Sequence, residues 1–256
     1  MIRLTDVWRV IKVTRNWYNI IPVAMGMRKQ TVVGFRNGLR FVYAKGVFAV
    51  EQFLEQPYSI TDVKGHDVVD VGAFNGDSAI YFAWKGAKRV FAFEPNPVNY
   101  RAATENIRLN GIQNIEIYNE AIGLSERELR IEEDVPGGNY YRIPRPGQSS
   151  QTGKSVRVRA FATFVNDFEL EDAVLKMDCE GCEYEILPNI GDELLLPFDQ
   201  IILEYHRRRQ HGPDELAERL TKSGFEIKFL DNKGQLMQQR LRDHGLLYAS
   251  RNLVPT

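Results

Sequence analysis

Short apolar runs recur along most of the chain, and stretches with helical periodicity lie between several of them. The runs predict strands over 68–71, 90–93, 115–118, 156–159, 174–178 and 201–206. The intervening periodicity predicts helices over 78–85, 99–110 and 215–224. Because alternating strands and helices build parallel sheets, we expect an α/β fold with a doubly wound, mainly parallel sheet. Segments 225–229 and 246–249 would close this sheet as an antiparallel pair.

The N-terminal region follows a different pattern, and we expect residues 1–60 to form a cap on a main domain spanning residues 61–256. Residues 1–30 have the spacing of a basic amphipathic helix, which Pro22 would end or kink. Residues 31–50 alternate around Asn37-Gly38, a strong signal for a β-hairpin, and residues 51–58 predict a short helix. The cap has too few apolar positions for a core of its own.

Composition narrows the classes of partner. The basic face of residues 1–30 has three interpretations: peripheral contact with an anionic membrane, packing on its own domain, or contact within a homo-oligomer. No apolar run reaches the roughly 18 residues that span a bilayer. The net charge of −1 argues against a general nucleic-acid binder. Two cysteines and no secretory leader lead us to expect a reducing, cytoplasmic setting.

A glycine turn after the first strand of the main domain is the most informative stretch. Asp70 lies near the end of that strand, Gly72 breaks it, and Gly76 precedes helical spacing. Strand, tight turn and helix form the nucleotide-binding corner of open α/β sheets. The spacing is not the Gly-x-Gly-x-x-Gly of dinucleotide folds, and the preceding carboxylate favours a ligand with a positive or hydrogen-donating group. Glu94 ends the next strand, near the offset of ~20 residues at which an acidic side chain binds ribose hydroxyls.

Five motifs occur in a fixed order within residues 60–206: Asp70-Val-Gly-Ala through Gly76, Phe93-Glu-Pro-Asn-Pro, Glu105-Asn106 with Leu109-Asn110, Ala121-Ile-Gly, and Lys176-Met-Asp-Cys-Glu-Gly. Together they resemble the FkbM-type methyltransferases, a family of S-adenosylmethionine-dependent O-methyltransferases. The Asn37-Gly38 hairpin is similar to one that often precedes that core. The chain departs from the family pattern at Phe74-Asn75 and at the cysteines at 179 and 182.

The resemblance implies a Rossmann-like class I methyltransferase fold with a seven-stranded sheet, and S-adenosylmethionine as cofactor. It implies contacts to the methionine part and the ribose from the two strand–turn corners, which supply Asp70, Gly72, Ala73, Asn75, Gly76, Glu94, Pro95 and Asn96. Glu120 and Ala121 would lie near the adenine, and Asp178 and Glu180 near the methyl group. The implied acceptor is a small molecule or glycan, such as a sugar hydroxyl.

Methyl transfer to a hydroxyl requires a group that takes the hydroxyl proton. Asp178, Glu180 and His206 come from neighbouring predicted strand ends, where they could converge. Asp178 and His206 are equal candidates for this base, and Glu180 would orient it. The alternative for Glu180 is hydrogen bonding to backbone amides of its own turn.

Several polar groups have simpler interpretations. We expect no metal, because no ligand spacing is diagnostic, and keep Asp178, Glu204 and His206 as the alternative set for Mg²⁺ or another divalent ion. Cys179 and Cys182 lack the second pair that a structural zinc site needs, so we expect them to fill small buried sites. The remaining candidates, taken as ordinary surface groups, are Lys64, His66, His211 and His244.

Two segments and two rival functions stay open. Residues 132–155, rich in proline and glycine, are either a lid that offers contacts from its tyrosines and arginines or an insertion without function. Arg207-Arg208-Arg209 either bind an anionic acceptor or form a solvated loop. The rivals are an NAD(P)-dependent oxidoreductase and a noncatalytic binding module that retains the fold.

Overall fold

The structure is a computed structural model that describes residues 10–44, 51–131, 154–206, 211–238 and 244–251. Its strands are β1 (Gln30–Gly34), β2 (Arg40–Ala44), β3 (Asp67–Val71), β4 (Arg89–Phe93), β5 (Ile115–Tyr118), β6 (Ala121–Gly123), β7 (Arg127–Ile131), β8 (Lys154–Ala160), β9 (Ala173–Met177), β10 (Phe198–His206), β11 (Glu226–Leu230) and β12 (His244–Ser250). Its helices are α1 (Ile20–Ala24), α2 (Glu51–Leu54), α3 (Asp77–Trp84), α4 (Pro97–Asn110), α5 (Phe161–Asp167), α6 (Cys182–Ile186) and α7 (Pro213–Lys222).

The main sheet has seven strands in the order β11-β12-β10-β9-β3-β4-β5. Strands β10, β9, β3, β4 and β5 are parallel, and β12 runs antiparallel to both of its neighbours, β10 and β11. The predicted α/β class and the mainly parallel, seven-stranded sheet are therefore confirmed. The expected antiparallel pair is also present, with β12 inserted between β11 and the parallel strands.

Both faces of the central strands are buried, which explains their continuous apolar runs. Side chains alternate across a strand, so Val69 and Leu175 pack in one core and Val68 and Val174 in the other. Layers cover both faces, as in parallel sheets generally. The carboxyl ends of the strands are left as the edge where polar groups can gather.

The predicted hairpin is formed by β1 and β2, which pair antiparallel on either side of Asn37-Gly38. The rings of Phe35 and Phe41 lie 5.4 Å apart, and Phe53 packs within 5.5 Å of both. These rings belong to the same core cluster as Tyr81 of α3. The described part of the N-terminal region thus shares its apolar core with the main sheet.

The expected N-terminal helix is interrupted in the structure. Residues 10–13 are helical, a 3₁₀ turn follows at Trp17–Asn19, and α1 contains Pro22 as its third residue. Proline is tolerated there because the first N–H groups of a helix have no intrahelical acceptor. Residues 1–9 lie outside the described residues. The short helix expected over 51–58 is shorter, Glu51–Leu54.

A second sheet was not predicted, and the strand expected over 156–159 in the main sheet belongs to this second sheet as β8. The second sheet has three strands in the order β6-β8-β7, with β6 parallel and β7 antiparallel to β8. Helices α5 and α6 were also not predicted. The segment expected as a lid or insertion lies between β7 and β8, and its residues 132–153 are outside the described part. Among the helices that the structure describes, none has the length and apolar character needed to cross a bilayer.

Candidate functional site

A pocket opens at the carboxyl ends of β3, β4 and β9, the edge where open α/β sheets bind ligands. Six of the residues predicted for the site line it: Gly72, Glu94, Pro95, Ala121, Asp178 and Glu180. Apolar side chains of the second sheet close the opposite wall: Ile122, Leu129 and Val158. The second sheet is therefore part of the site, although the sequence analysis missed it.

The turn after β3 requires glycine at position 72. Gly72 has a φ of +84°, and a Cβ there would lie 1.8 Å from the carbonyl oxygen of Asp178. The N–H groups of Gly72 and Ala73 both donate to the carbonyl of Phe93, at 3.0 Å each. The turn is thus held between β4 and the end of β9, and its backbone lies against the pocket.

Glu94 points a buried carboxylate at the pocket. It is 2% exposed, and it accepts hydrogen bonds from the N–H of Phe74 at 2.9 Å and of Asn96 at 2.8 Å. The amide of Asn99 lies 3.4 Å from the same carboxylate. Asn96 itself caps α4, because its side chain accepts from the N–H of Val98 at 2.8 Å. These bonds fix the orientation of Glu94.

Asp70 is fully buried and does not line the pocket. Its carboxylate accepts from the hydroxyl of Ser78 at 2.6 Å and lies 2.8 Å from Nζ of Lys176. Lys176 also donates to the carbonyl of Gly72 at 2.6 Å. Burial alone would lower the pKa of Lys176, but the carboxyl groups of Asp70, Asp178 and Asp77 together outweigh it, and the pKa is raised. Asp70 therefore supports the glycine turn through Lys176.

Five other residues predicted to contact the cofactor also lie away from the pocket lining: Asn96, which caps α4, and Ala73, Asn75, Gly76 and Glu120. Ala73 and Gly76 are buried in the turn, and the side-chain amide of buried Asn75 has no hydrogen-bond partner among the described residues. Glu120 pairs with Arg159 of β8 at 2.7 Å. Glu120 thereby ties the segment before β6 to β8, while its neighbour Ala121 reaches the pocket.

Next to the pocket, carboxyl and imidazole groups gather where β9, β10 and β12 meet. Nε2 of His206 lies 3.6 Å from Oε1 of Glu204 and 3.8 Å from Oε2 of Glu180. The ring of His244 stacks on that of His206 with centroids 4.6 Å apart, and its Nε2 hydrogen-bonds Oε1 of Glu204. Asp178 hydrogen-bonds Glu204. The structure thus brings together all three predicted catalytic residues, and adds Glu204 and His244.

Burial and neighbouring charge set the protonation of this cluster. Burial raises the pKa of Asp178 well above its usual value, Lys176 opposes this, and Glu204 adds to it. For Glu204 burial acts upward, but hydrogen bonds from His244 and Asp178 lower its pKa overall. Burial, with Asp178 and Glu204, raises the pKa of Tyr58. The two carboxyl groups therefore interact directly, and Asp178 is the more basic of the pair.

Two interpretations from the sequence need correction. His244 was taken as an ordinary surface group, but pairing of β12 with β10 sets it opposite His206. Cys179 and Cys182 were expected as separate thiols, but they form a disulfide at the start of α6, both against the pocket. That pairing removes the cysteine-based argument for a reducing compartment. Arg207, Arg208 and Arg209 lie outside the described residues.

The fold and the site define a class I methyltransferase: the strand order with β12 antiparallel, a glycine turn after β3, and an acidic residue after β4. A family model described as "Methyltransferase FkbM domain" matches residues 70–231. The chain belongs to this family, and its cofactor is S-adenosylmethionine. The pocket suits this cofactor, because the oriented carboxylate of Glu94 can accept from the ribose hydroxyls and the apolar wall can pack against the adenine ring.

Individual proteins are similar to parts of this chain. Ribosomal protein L11 methyltransferase of Streptococcus pneumoniae (strain P1031) is 35% identical over 104 residues, which are 40% of this chain and 29% of that protein. The chain thus spans less than a third of that relative's length. A SAM-dependent methyltransferase from Agrobacterium tumefaciens has a similar fold, with a TM-score of 0.50 and 12% identity, covering 88% of this chain and 71% of that one.

Proposed function

We propose that the protein is an S-adenosylmethionine-dependent O-methyltransferase that acts on a hydroxyl of a sugar, glycan precursor or related metabolite. One observation carries this proposal: Asp178 and Glu180 line the cofactor pocket and also belong to the cluster that contains His206. A group able to take a proton therefore lies beside the place where the cofactor binds. A hydroxyl acceptor needs such a group, because it is a weak acid that must lose its proton as the new bond forms.

In this proposal the pocket residues bind the cofactor through hydrogen bonds and apolar packing. Glu94 accepts hydrogen bonds from the ribose hydroxyls, and the wall of Ala121, Ile122 and Val158 packs on the adenine. The backbone of the Gly72 turn faces the methionine part. When bound, S-adenosylmethionine supplies an activated methyl group on a sulfonium sulfur, so that positioning accounts for much of the rate.

Asp178 and His206 are the two candidates for the proton acceptor. Asp178 ends the strand that runs beside the glycine turn, and its N–H donates to the carbonyl of Val71 at 2.9 Å. His206 ends β10, and histidine is the side chain that most often acts as a general base. Glu180 lies 3.8 Å from His206 and orients the imidazole.

The proposal is tested with S-adenosylmethionine labelled in its methyl group and a panel of acceptors. The panel holds neutral sugars, uronates and other anionic sugar derivatives, and it includes peptides because one relative is named for a ribosomal protein. We expect a hydroxylated metabolite to accept label. Asp178→Asn and His206→Ala should keep cofactor affinity, and whichever removes the base should lower turnover by about 10²- to 10⁴-fold.

The matched control is Asp172→Asn, a carboxyl group on the loop before β9 and away from the pocket, which should transfer label at the wild-type rate. Near-normal turnover in both test variants would remove Asp178 and His206 as bases. Label found only on nitrogen or carbon atoms would refute O-methylation. Binding of NAD(P) in place of S-adenosylmethionine would favour the oxidoreductase.

A further inference from the structure

His206 belongs to two groups of side chains whose ligand atoms are close enough to share one divalent cation. One group is Glu204, His206 and His244, and the other is Asp178, Glu180 and His206. Within each group the ligand atoms all lie within 4.8 Å of one another. Two imidazoles and three carboxyl groups therefore meet at one edge of the sheet, beside the cofactor pocket.

Backbone pairing sets the first group in place. Glu204 and His206 are two residues apart in β10, so their side chains leave the same face of the sheet. His244 lies directly opposite His206 in the antiparallel pair of β10 and β12, and directly opposed residues also share a face. The three ligands come from two paired strands, which hold them more precisely than loops would.

The candidate ligand atoms lie close together around Oε1 of Glu204. Nε2 of His244 hydrogen-bonds Oε1 of Glu204, and Nε2 of His206 lies 3.6 Å from the same oxygen. Nε2 of His206 is buried and forms no hydrogen bond with any residue that the structure describes. Glu180 approaches this nitrogen to 3.8 Å. The nearby amine of Lys176 is already paired with Asp70 and the carbonyl of Gly72.

We propose that Glu204, His206 and His244 bind a divalent first-row transition ion, with Asp178 and Glu180 beside it. Two imidazoles with a carboxylate suit Zn²⁺, Mn²⁺, Fe²⁺ or Co²⁺. Mg²⁺ and Ca²⁺ favour ligand sets made of oxygen alone.

Three protein ligands leave a coordination position for an acceptor oxygen, and this part of the inference rests on the proposed function. A cation there would hold the acceptor hydroxyl beside the cofactor pocket and favour loss of its proton. His206 would then be a metal ligand, and Asp178 the remaining candidate for the base.

The test uses the full-length protein after removal of bound metal by a chelator. Titration with Co²⁺ is followed by visible absorption, and titrations with Zn²⁺ and Mg²⁺ are followed by calorimetry. We expect one equivalent of Co²⁺ or Zn²⁺ to bind, and weaker binding of Mg²⁺. His244→Ala and Glu204→Gln should each lower the affinity at least about tenfold, in line with the loss of a ligand. His66→Ala, which removes an imidazole elsewhere on the surface, should bind metal as the wild type does.

His244→Ala decides the matter, because the side chain of His244 is 36% exposed and its loss leaves no buried cavity. Absence of stoichiometric binding, equal affinity in His244→Ala and the wild type, or preference for Mg²⁺ would each overturn the proposal. Titration of the same samples with S-adenosylhomocysteine separates the two claims. If the wild type does not bind S-adenosylhomocysteine, the proposed function is contradicted, whereas the proposed metal site is not affected.

Discussion

At the scale of single residues, Lys176 and Asp70 form a buried ion pair under the active edge of the sheet. Their side chains are 2% and 0% exposed, and their charged atoms lie 2.8 Å apart. Lys176 also holds the carbonyl of Gly72. The pair fixes the glycine turn, so Asp70 contributes to the pocket without lining it.

Removing one partner of this pair should be costly. Asp70→Asn leaves the ammonium of Lys176 buried without its counter-ion, and we expect a loss of about 3–5 kcal/mol in the free energy of unfolding. Urea denaturation measures this change. The double variant Asp70→Asn/Lys176→Met removes both charges and should recover part of the stability. A single variant as stable as the wild type would contradict the buried pair.

Glu94 is the residue on which cofactor affinity should depend most. Charge-assisted hydrogen bonds are each worth about 1.5–3 kcal/mol, so Glu94→Ala should weaken S-adenosylmethionine binding by about 10- to 100-fold. In this variant the N–H groups of Phe74 and Asn96 lose their acceptor, so the protein is expected to be less stable. The affinity is therefore measured by calorimetry well below the melting temperature of the variant. Glu226→Ala, exposed at the start of β11, is the control. Unchanged affinity would refute the ribose role.

At the scale of elements, the turn after β3 connects to both β4 and β9. A comparison of Gly72 in this turn with Gly38 in the hairpin separates the cost of a steric clash from the cost of a positive φ. Gly72 and Gly38 both have positive φ, but a Cβ at Gly38 would meet nothing within 4 Å. Gly38→Ala should therefore cost about 1–2 kcal/mol for the backbone alone. Gly72→Ala should cost clearly more and weaken cofactor binding, because its Cβ would meet the carbonyl of Asp178. Thermal melts and cofactor titration of both variants test this, and equal losses would contradict it.

The β1–β2 hairpin should unfold together with the main sheet. Phe41 is 0% exposed and shares a core with α3, so Phe41→Ala should lower the stability of the whole domain by about 3–5 kcal/mol in one transition. Val32 of the same hairpin is 38% exposed, and Val32→Ala should change stability by about 0.5 kcal/mol or less. Calorimetry that resolves two separate transitions would show the cap to be an independent unit.

The elements that the sequence predicted well are those with uninterrupted apolar runs. The predicted 68–71 and 90–93 correspond to β3 and β4 within one residue, because strands buried on both faces have continuous apolar runs. Strand β6 has three residues, too few for any period to be read. The alternation of Leu129 and Ile131 in β7 and the helical spacing of Phe161, Phe164 and Val165 in α5 were signals that could have been used.

The site was predictable where motifs mark strand ends, and not where it depends on pairing between distant strands. Glu94 and Asp178 follow β4 and β9 directly, and both line the pocket. His244 comes 38 positions after His206, and only the register of β12 against β10 reveals that the two rings stack. Asp70 also lies in a motif at a strand end, but the motif did not reveal that its carboxylate is buried in an ion pair with Lys176 and does not line the pocket.

At the scale of the whole molecule, two sheets and the cluster of acids and imidazoles surround one pocket. The main sheet supplies the glycine turn, Glu94 and Asp178, and the second sheet supplies the apolar wall. Asp178 and Glu180 line the pocket and also belong to the cluster, so in the proposed function they join cofactor binding to acceptor chemistry. The account therefore depends on the cofactor occupying this pocket, with its reactive end toward β9 and β10.

A crystal structure of the protein with S-adenosylhomocysteine tests the position and orientation of the cofactor most directly. We expect the ribose hydroxyls on Glu94, the adenine against Ala121 and Ile122, and the sulfur facing Asp178 and Glu180. A ligand bound elsewhere, or one in the pocket with its sulfur turned away from Asp178, would contradict the account.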